Sequence, residues 1–446
     1  MNTPICDFVK SYCESGALRL HMPGHKGAGP LGFEHLDLTE MEGADDLYHP
    51  EGIIAESEAN ASALFGCRTI YSTEGSSHCI RAMVMLLAQQ AKELGRKPLI
   101  AAGRNAHKTF LSAVALVDAD VAWLCPKEPD SYLSCTLSAD EVDEALSAMT
   151  EKPVAVYLTS PDYLGNIADI PAIAGVCHRH GVLLALDNAH GAYLRFLPES
   201  RHPMDLGADI CCDSAHKTLP VITGGAYLHI SDRAPALFRE QAREALAMFG
   251  STSPSYLVLQ SLDAVNRYLA EGYRQRLSAF IHAVEETKGR LKAQGFVLCG
   301  DEALKITISA KPYGYEGTAL AELLAESSLF CEFADPDFLV LMVTPETGEA
   351  GLRRLEEVLS SIPPLPPISD LPPAFSLPRK MLSVREAAFA PCQVIPVEES
   401  LGRILARASV GCPPAVPIVC CGEEIDEGAR LCFQYYGIET CQVVKK

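Results

Sequence analysis

From about residue 60 to 230 the chain alternates short apolar runs with amphipathic stretches. The runs at 99–102, 121–124, 154–158 and 182–186 read as strands buried on both faces. The stretches at 76–94, 139–149 and 170–180 repeat apolar residues at helical spacing. Strands and helices alternating in this way build βαβ units, so the expected fold class is α/β, with a mainly parallel sheet covered by helices. In such sheets ligands gather at the carboxyl ends of the strands, which is where candidate chemistry is sought first.

Beyond the sheet region, residues 254–291 predict a long helix whose one strong turn signal is Gly272. Two strand–helix units, 305–309 with 318–327 and 338–343 with 348–361, predict a smaller α/β domain. Proline then dominates from Ile362-Pro363-Pro364-Leu365-Pro366-Pro367 through Pro372-Pro373, predicting a semi-rigid linker. The expected organisation is an N-terminal arm (1–60), a large domain (61–255), a long helix with the small domain (256–361), the linker (362–373) and a C-terminal module (374–446). No internal repeat is evident.

Composition narrows the function classes. Hydrophobic residues make up 48% of the 446 and charged residues 21%, as in soluble globular proteins. No apolar run approaches the ~20 residues of a membrane span, and Met1-Asn2-Thr3-Pro4-Ile5-Cys6-Asp7 lacks the basic-then-apolar build of a secretory signal, so a cytoplasmic protein is expected. A net charge of −20 points away from a nucleic-acid partner, which needs clustered Lys and Arg. The 17 cysteines are scattered, without a C-x-x-C pair or a Cys/His set at ligand spacing. Free, buried thiols are expected, and no metal site.

Four stretches carry candidate chemistry. Ile70-Tyr71-Ser72-Thr73-Glu74-Gly75-Ser76-Ser77 runs from a short strand into a helix. Gly75, Ser76 and Ser77 would offer a phosphate backbone N–H groups, two hydroxyls and the positive end of a helix dipole. The bland alternative is a glycine turn with a serine cap. Arg104-Asn105-Ala106-His107-Lys108 follows a predicted strand, so the imidazole of His107 could stack on a ring or shuttle a proton; a surface loop is the alternative. Asp187 ends the apolar run 182–186, where a carboxylate is costly to bury without a cationic partner, and His190 follows three residues on as a group to orient it. A helix-capping Asp is the alternative. Finally, Ser214-Ala215-His216-Lys217 presents an amine beside a histidine, with a solvated loop as the alternative. Their order (phosphate turn, ring residue, acid, lysine) suits an enzyme built on pyridoxal phosphate, with Lys217 carrying the cofactor as a Schiff base and Asp187 keeping its ring nitrogen protonated.

These residues resemble the Orn/Lys/Arg decarboxylase family of the fold-type-I pyridoxal phosphate enzymes. Ser214-Ala215-His216-Lys217 matches its Ser-x-His-Lys signature, Asp187-Asn188-Ala189-His190-Gly191 its Asp-x-Ala-His-Gly element, and Arg104 to Lys108 its Arg-Asn-x-His-Lys loop. His21-Met22-Pro23-Gly24-His25-Lys26-Gly27, Asp45 to Gly52 and Thr252-Ser253-Pro254 are similar to further family segments. So are Pro413-Pro414-Ala415-Val416-Pro417 and Gly422-Glu423 near the C-terminus. The resemblance implies an aspartate aminotransferase-like large domain, a smaller α/β domain, a C-terminal decarboxylase module, and a short form without the N-terminal wing domain of longer relatives. It further implies pyridoxal 5'-phosphate as cofactor, a basic amino acid (arginine, lysine or ornithine) as substrate in polyamine-type metabolism, and a homodimer or higher homo-oligomer. By resemblance Lys217 forms the Schiff base, Asp187 pairs the pyridine nitrogen, His107 stacks on the ring, and Gly75, Ser76, Ser77 and Ser214 hold the phosphate. His190 would support Asp187, and His216 would sit near the Schiff base.

Departures bear on the substrate. Glu74 stands where the family commonly has Asn, Asp162 replaces a Thr, Gly224 replaces a Gln, and Cys412-Pro413-Pro414-Ala415 replaces Tyr-Pro-Pro-Gly. The alternatives are transamination or aldol cleavage on the same cofactor, and a catalytically inactive cofactor-binding paralogue. For the substrate's cationic side chain, the candidate acids are those of 45–51 and Glu423.

Overall fold

The computed structural model describes residues 1–127, 131–374, 377–408 and 415–445. Seven strands form the principal sheet: β1 (Arg68–Ser72), β2 (Leu99–Gly103), β3 (Asp120–Leu124), β4 (Ala155–Thr159), β5 (Leu183–Asp187), β6 (Ile210–Asp213) and β7 (Ala226–Ile230). Their order is β1-β7-β6-β5-β4-β2-β3. β2 is parallel to β3 and β4, and β5 is parallel to β6, so the α/β class and the mainly parallel sheet are observed as expected. β7 departs from that pattern, running antiparallel to both β6 and β1. The cause is local: after β6 the chain makes one short helix, Ala215–Thr218, then turns back through Gly224 at φ +103° instead of crossing over on a long helix.

The chain divides into two compact units, Met1–Arg96 with Ile170–Arg276, and Lys97–Asp169 with Leu277–Lys446. In the first, the helix Gly75–Glu93 lays Cys79, Ile80, Met83, Val84 and Leu87 into the core, packing on β6, β7 and the helix Ala236–Phe249. The predicted long helix is instead two, Tyr256–Ala270 and Tyr273–Ala293, divided at Gly272, which takes φ +76°.

In the second unit, β8 (Val297–Cys299), β9 (Lys305–Ser309), β10 (Phe333–Ala334) and β11 (Phe338–Met342) make a four-stranded sheet in the order β10-β11-β9-β8. The predicted strands and the helices Gly317–Glu326 and Gly348–Ser361 are present, and every pairing in this sheet is antiparallel. Residues 363–374 form neither helix nor strand. The C-terminal residues add β12 (Cys392–Pro396), β13 (Leu405–Arg407) and β14 (Thr440–Val444) around the helix Glu427–Tyr435, with Ile395, Leu405, Ile425, Phe433 and Val443 in one core. Every described cysteine is a free thiol, and burial pushes Cys211 and Cys212 well above the ordinary thiol range. No helix among the described residues is long and apolar enough to cross a membrane.

Candidate active site

β7 is antiparallel to both β1 and β6, and β5 is parallel to β6, so β1, β5 and β6 end on one edge of the sheet. Each delivers a candidate residue there. From β1 the chain turns at Gly75, whose φ of +74° suits glycine, into a helix of 19 residues. The first turn of that helix contains Ser76 and Ser77, and helix geometry points its leading N–H groups out of the helix end. The hydroxyl of Ser214, the residue after β6, lies 2.8 Å from the hydroxyl of Ser76. The Gly75 N–H donates to the Gly224 carbonyl at 2.7 Å, which ties the turn to the loop beyond Lys217. A Cβ on Gly224 would stand 2.7 Å from the Thr73 carbonyl oxygen, so this backbone has no room for the glutamine usual in the family. The Glu74 carboxylate makes no cap on the helix and instead accepts from the Ser251 N–H at 2.6 Å, within the Thr-Ser-Pro loop.

Asp187 is the last residue of β5 and only 3% exposed. Its carboxylate accepts from the Ala189 N–H at 3.2 Å and, weakly, from the Cys212 thiol at 3.8 Å. Lys217, in the short helix after β6, places Nζ 3.0 Å from His190 Nε2. This contact of His190 with the lysine amine stands beside the expectation from sequence that His190 supports Asp187. His216 turns its Nδ1 to the Gly225 carbonyl at 2.9 Å, and burial lowers its pKa. Its ring also lies beside the phosphate turn, with Cε1 3.9 Å from where a Gly75 Cβ would be. This edge thus offers a buried carboxylate, a lysine amine and a hydroxyl-lined helix N-terminus. That donor set fits the pyridine nitrogen, aldehyde and phosphate of pyridoxal phosphate.

Behind the edge lies a cluster that the sequence did not reveal. Asp213, fully buried at the end of β6, accepts from His202 Nε2 at 3.0 Å, His229 Nε2 at 3.1 Å and Asn188 Nδ2 at 2.7 Å. His202 Nδ1 accepts from the Met204 N–H at 3.4 Å, so its Nε2 carries the proton toward Asp213. Burial alone would raise the Asp213 pKa, but the two histidines outweigh it and hold the carboxyl well below its usual range. Asn188 follows Asp187 and Ser214 follows Asp213, so the cluster fixes two neighbours of the site at once. No motif marks it, because its members are brought together only by the pairing of β6 with β7 and by the turn before His202.

The second unit carries the remaining candidates. His107 follows β2 and caps the helix Lys108–Val117, its Nδ1 accepting from the Thr109 N–H at 3.1 Å. Asp162, after β4, accepts from Ser134 Oγ at 2.7 Å and Asn166 Nδ2 at 2.8 Å and staples its own loop. Of the acids considered for a substrate cation, Asp45 and Glu423 have structural partners. Asp45 accepts from the N–H groups of Asp46, Glu51, Gly52 and Ile54 and caps the helix Ile53–Phe65 in the first unit. Glu423 is buried in an ion pair with Arg104 at 2.9 Å. In the structure these two carboxylates are engaged by backbone donors and by a buried guanidinium respectively. The Cys412-Pro413-Pro414 part of the C-terminal signature lies outside the described residues.

The profile of the Orn/Lys/Arg decarboxylase major domain matches residues 3–311. An arginine decarboxylase of Bacillus subtilis is 30% identical over 460 residues, covering 95% of this chain and 91% of that protein. The uncharacterized protein YaaO of Bacillus subtilis is 29% identical, covering 95% of this chain and 92% of that protein. Among solved structures, lysine decarboxylase A from Pseudomonas aeruginosa superposes with a TM-score of 0.81 at 16% identity, covering 99% of this chain and 80% of that one. The Francisella novicida lysine decarboxylase superposes with a TM-score of 0.79 at 17% identity, covering 99% and 81%, and these likenesses speak to fold alone. The chain belongs to the Orn/Lys/Arg decarboxylase family of amino-acid decarboxylases.

Proposed function

We propose that this protein decarboxylates a basic amino acid, arginine, lysine or ornithine, to the corresponding amine with pyridoxal 5'-phosphate as cofactor, and that it works as a homodimer. The observation that carries the reading is the convergence on one sheet edge of buried Asp187, the Lys217 amine and the Ser76–Ser214 hydroxyl pair at a helix N-terminus. The arginine decarboxylases among its relatives support the basic substrate.

When bound, the cofactor supplies a cationic ring that draws electrons from a bond at the substrate's Cα. Each side chain has a share of the remaining work. The first turn at Gly75, Ser76 and Ser77, with Ser214, holds the phosphate dianion by N–H and hydroxyl donors. Asp187 holds a proton on the ring nitrogen, and that cation relieves the cost of burying its carboxylate. By the family resemblance His107 would be the residue that stacks on the ring. Which bond at Cα breaks is then decided by orientation, so rigid placement of the ring is what selects decarboxylation over transamination or aldol cleavage. Lys217 anchors the cofactor and afterwards holds or gives a proton at Cα, with His190 Nε2, 3.0 Å away, as its hydrogen-bond partner. His216 braces the lysine turn through its bond to Gly225.

The test is an assay of CO2, amine and keto acid from arginine, lysine and ornithine. Wild type is expected to release CO2 and amine in equal amounts from at least one of them. Lys217→Ala is expected to lose both the cofactor's visible absorbance and the amine. Keto acid without CO2, or amine release by Lys217→Ala at the wild-type rate, would refute the reading.

A further inference from the structure

Two motifs that are more than 300 residues apart in sequence meet in the second unit. The loop 104–108, which carries His107, is gripped at both ends by residues 415–423. Arg104 forks across the C-terminal segment, donating to the Pro417 carbonyl at 3.2 Å, the Ile418 carbonyl at 2.8 Å and the Glu423 carboxylate at 2.9 Å, with Cys420 Sγ at 2.8 Å. Glu423 accepts in turn from the Cys420 N–H at 2.6 Å. At the other end of the loop the Lys108 N–H donates to the Ala415 carbonyl at 2.8 Å. The helix that His107 caps is held at its far end too, where Arg385 donates to the Ala115 carbonyl at 2.8 Å. Arg104 and Glu423 are 5% and 2% exposed, and the guanidinium also lies 5.1 Å from the centre of the Trp123 ring.

A surface brace does not need this arrangement. Burying a lone ion pair gains little, because desolvation offsets the attraction, so a pair retained with this many directional bonds specifies a geometry. The groups fixed are those on either side of His107. We infer that Glu423 and Arg104 are positioning residues for the reaction: the C-terminal segment clamps the loop 104–108 and thereby fixes the direction of the His107 ring, to which the proposed function gives the cofactor-stacking role. The inference rests on the proposed role of His107 and adds to it that the C-terminal segment is part of the catalytic apparatus.

The test uses the full-length protein and reads cofactor binding without substrate. Glu423→Gln keeps the shape of the side chain and removes its charge. In the folded variant the dissociation constant for pyridoxal phosphate is expected to rise about tenfold, with altered circular dichroism in the cofactor band and a fall in kcat larger than any change in KM. In a His107→Ala background, the same Glu423→Gln change is expected to have no further effect on cofactor affinity or dichroism. If Glu423→Gln does not fold, Arg104→Lys, which keeps the charge but cannot fork, is put through the same cycle. Unchanged dichroism and affinity in the folded variant, or effects that simply multiply with those of His107→Ala, would overturn the inference and leave the pair a stabilising contact only. Failure of the wild-type protein to bind pyridoxal phosphate would instead remove the cofactor reading, and this inference with it.

Discussion

Asp213 shows how one buried charge can organise a site without touching the chemistry. Three donors converge on its carboxylate, two imidazole N–H groups and an amide. An amide in its place would set its own NH2 against at least one of them, so Asp213→Asn is expected to destabilise the protein by about 3 kcal/mol, read as a lower denaturation midpoint at pH 7.5. The acid limb has a definite sign. Burial lowers the pKa of His78, His216 and His229 in the folded protein, so the unfolded chain takes up those protons first. The contribution of these histidines is therefore expected to fall as pH drops below about 6.5, the free histidine value, against the opposite pull of Asp335, whose carboxyl burial raises to about 6. Asp213 adds a separate loss in stronger acid: its depressed carboxyl stabilises the fold above about pH 4, and that contribution fades as pH falls through its folded pKa. Thermal midpoints measured from pH 7.5 down to about 2 check both windows. A His78→Gln variant that responds to acidification to pH 5.5 as the wild type does would contradict the first.

At the scale of elements, two turns depart from the family pattern in opposite directions, and both take positive φ. Gly224 stands where glutamine is usual, with φ +103° and a backbone oxygen 2.7 Å from any added Cβ. Ala415 stands where glycine is usual, with φ +55°, and its carbonyl receives the Lys108 N–H. Gly224→Ala is expected to cost about 2 kcal/mol and to weaken cofactor binding, because the Gly224 carbonyl holds the Gly75 N–H of the phosphate turn. Ala415→Gly is expected to gain about 0.5–1 kcal/mol, the relief of left-handed strain less the added freedom of the unfolded chain. Thermal melts of the two variants should move in opposite senses. These turns also mark the limit of what the sequence discloses. β2, β3, β4 and β5 were legible because buried strands write themselves as apolar runs, whereas the break at Gly272 was seen only as a turn signal inside one long helix. β8 and β10 were not, being three and two residues long and paired only through β9 and β11. Candidate site residues that sit in contiguous motifs could be named from their order and the family resemblance. The Asp213 cluster and the Arg104–Glu423 pair were not, because their partners are distant in sequence and meet only through the fold.

For the whole molecule, the first unit exposes an apolar stretch that bears on the proposed homodimer. Within residues 18–33, Leu18 and Leu20 are 81% and 82% exposed, and Met22, Leu31 and Phe33 are exposed as well. Exposed leucines are unremarkable singly, but five large apolar side chains in sixteen residues point to an associating surface. The same unit exposes Met248 and Ile222 close in sequence to the Ser251 loop that holds Glu74 and to Gly224. A second copy covering these residues would close the site beside the phosphate turn, as the homodimer reading requires. Burying a leucine is worth roughly 1.5–3 kcal/mol, so each of Leu18→Ser and Leu20→Ser should weaken self-association by about tenfold or more. Sedimentation across a concentration series checks this. Wild type is expected to sediment as a dimer or larger, and the double variant to shift toward monomer with a parallel loss of decarboxylation. The loss should be recoverable at high protein concentration, since neither leucine belongs to the site itself. A wild type that stays monomeric and active at tens of micromolar would show that one chain completes its own active site, and the apolar arm would then need another partner.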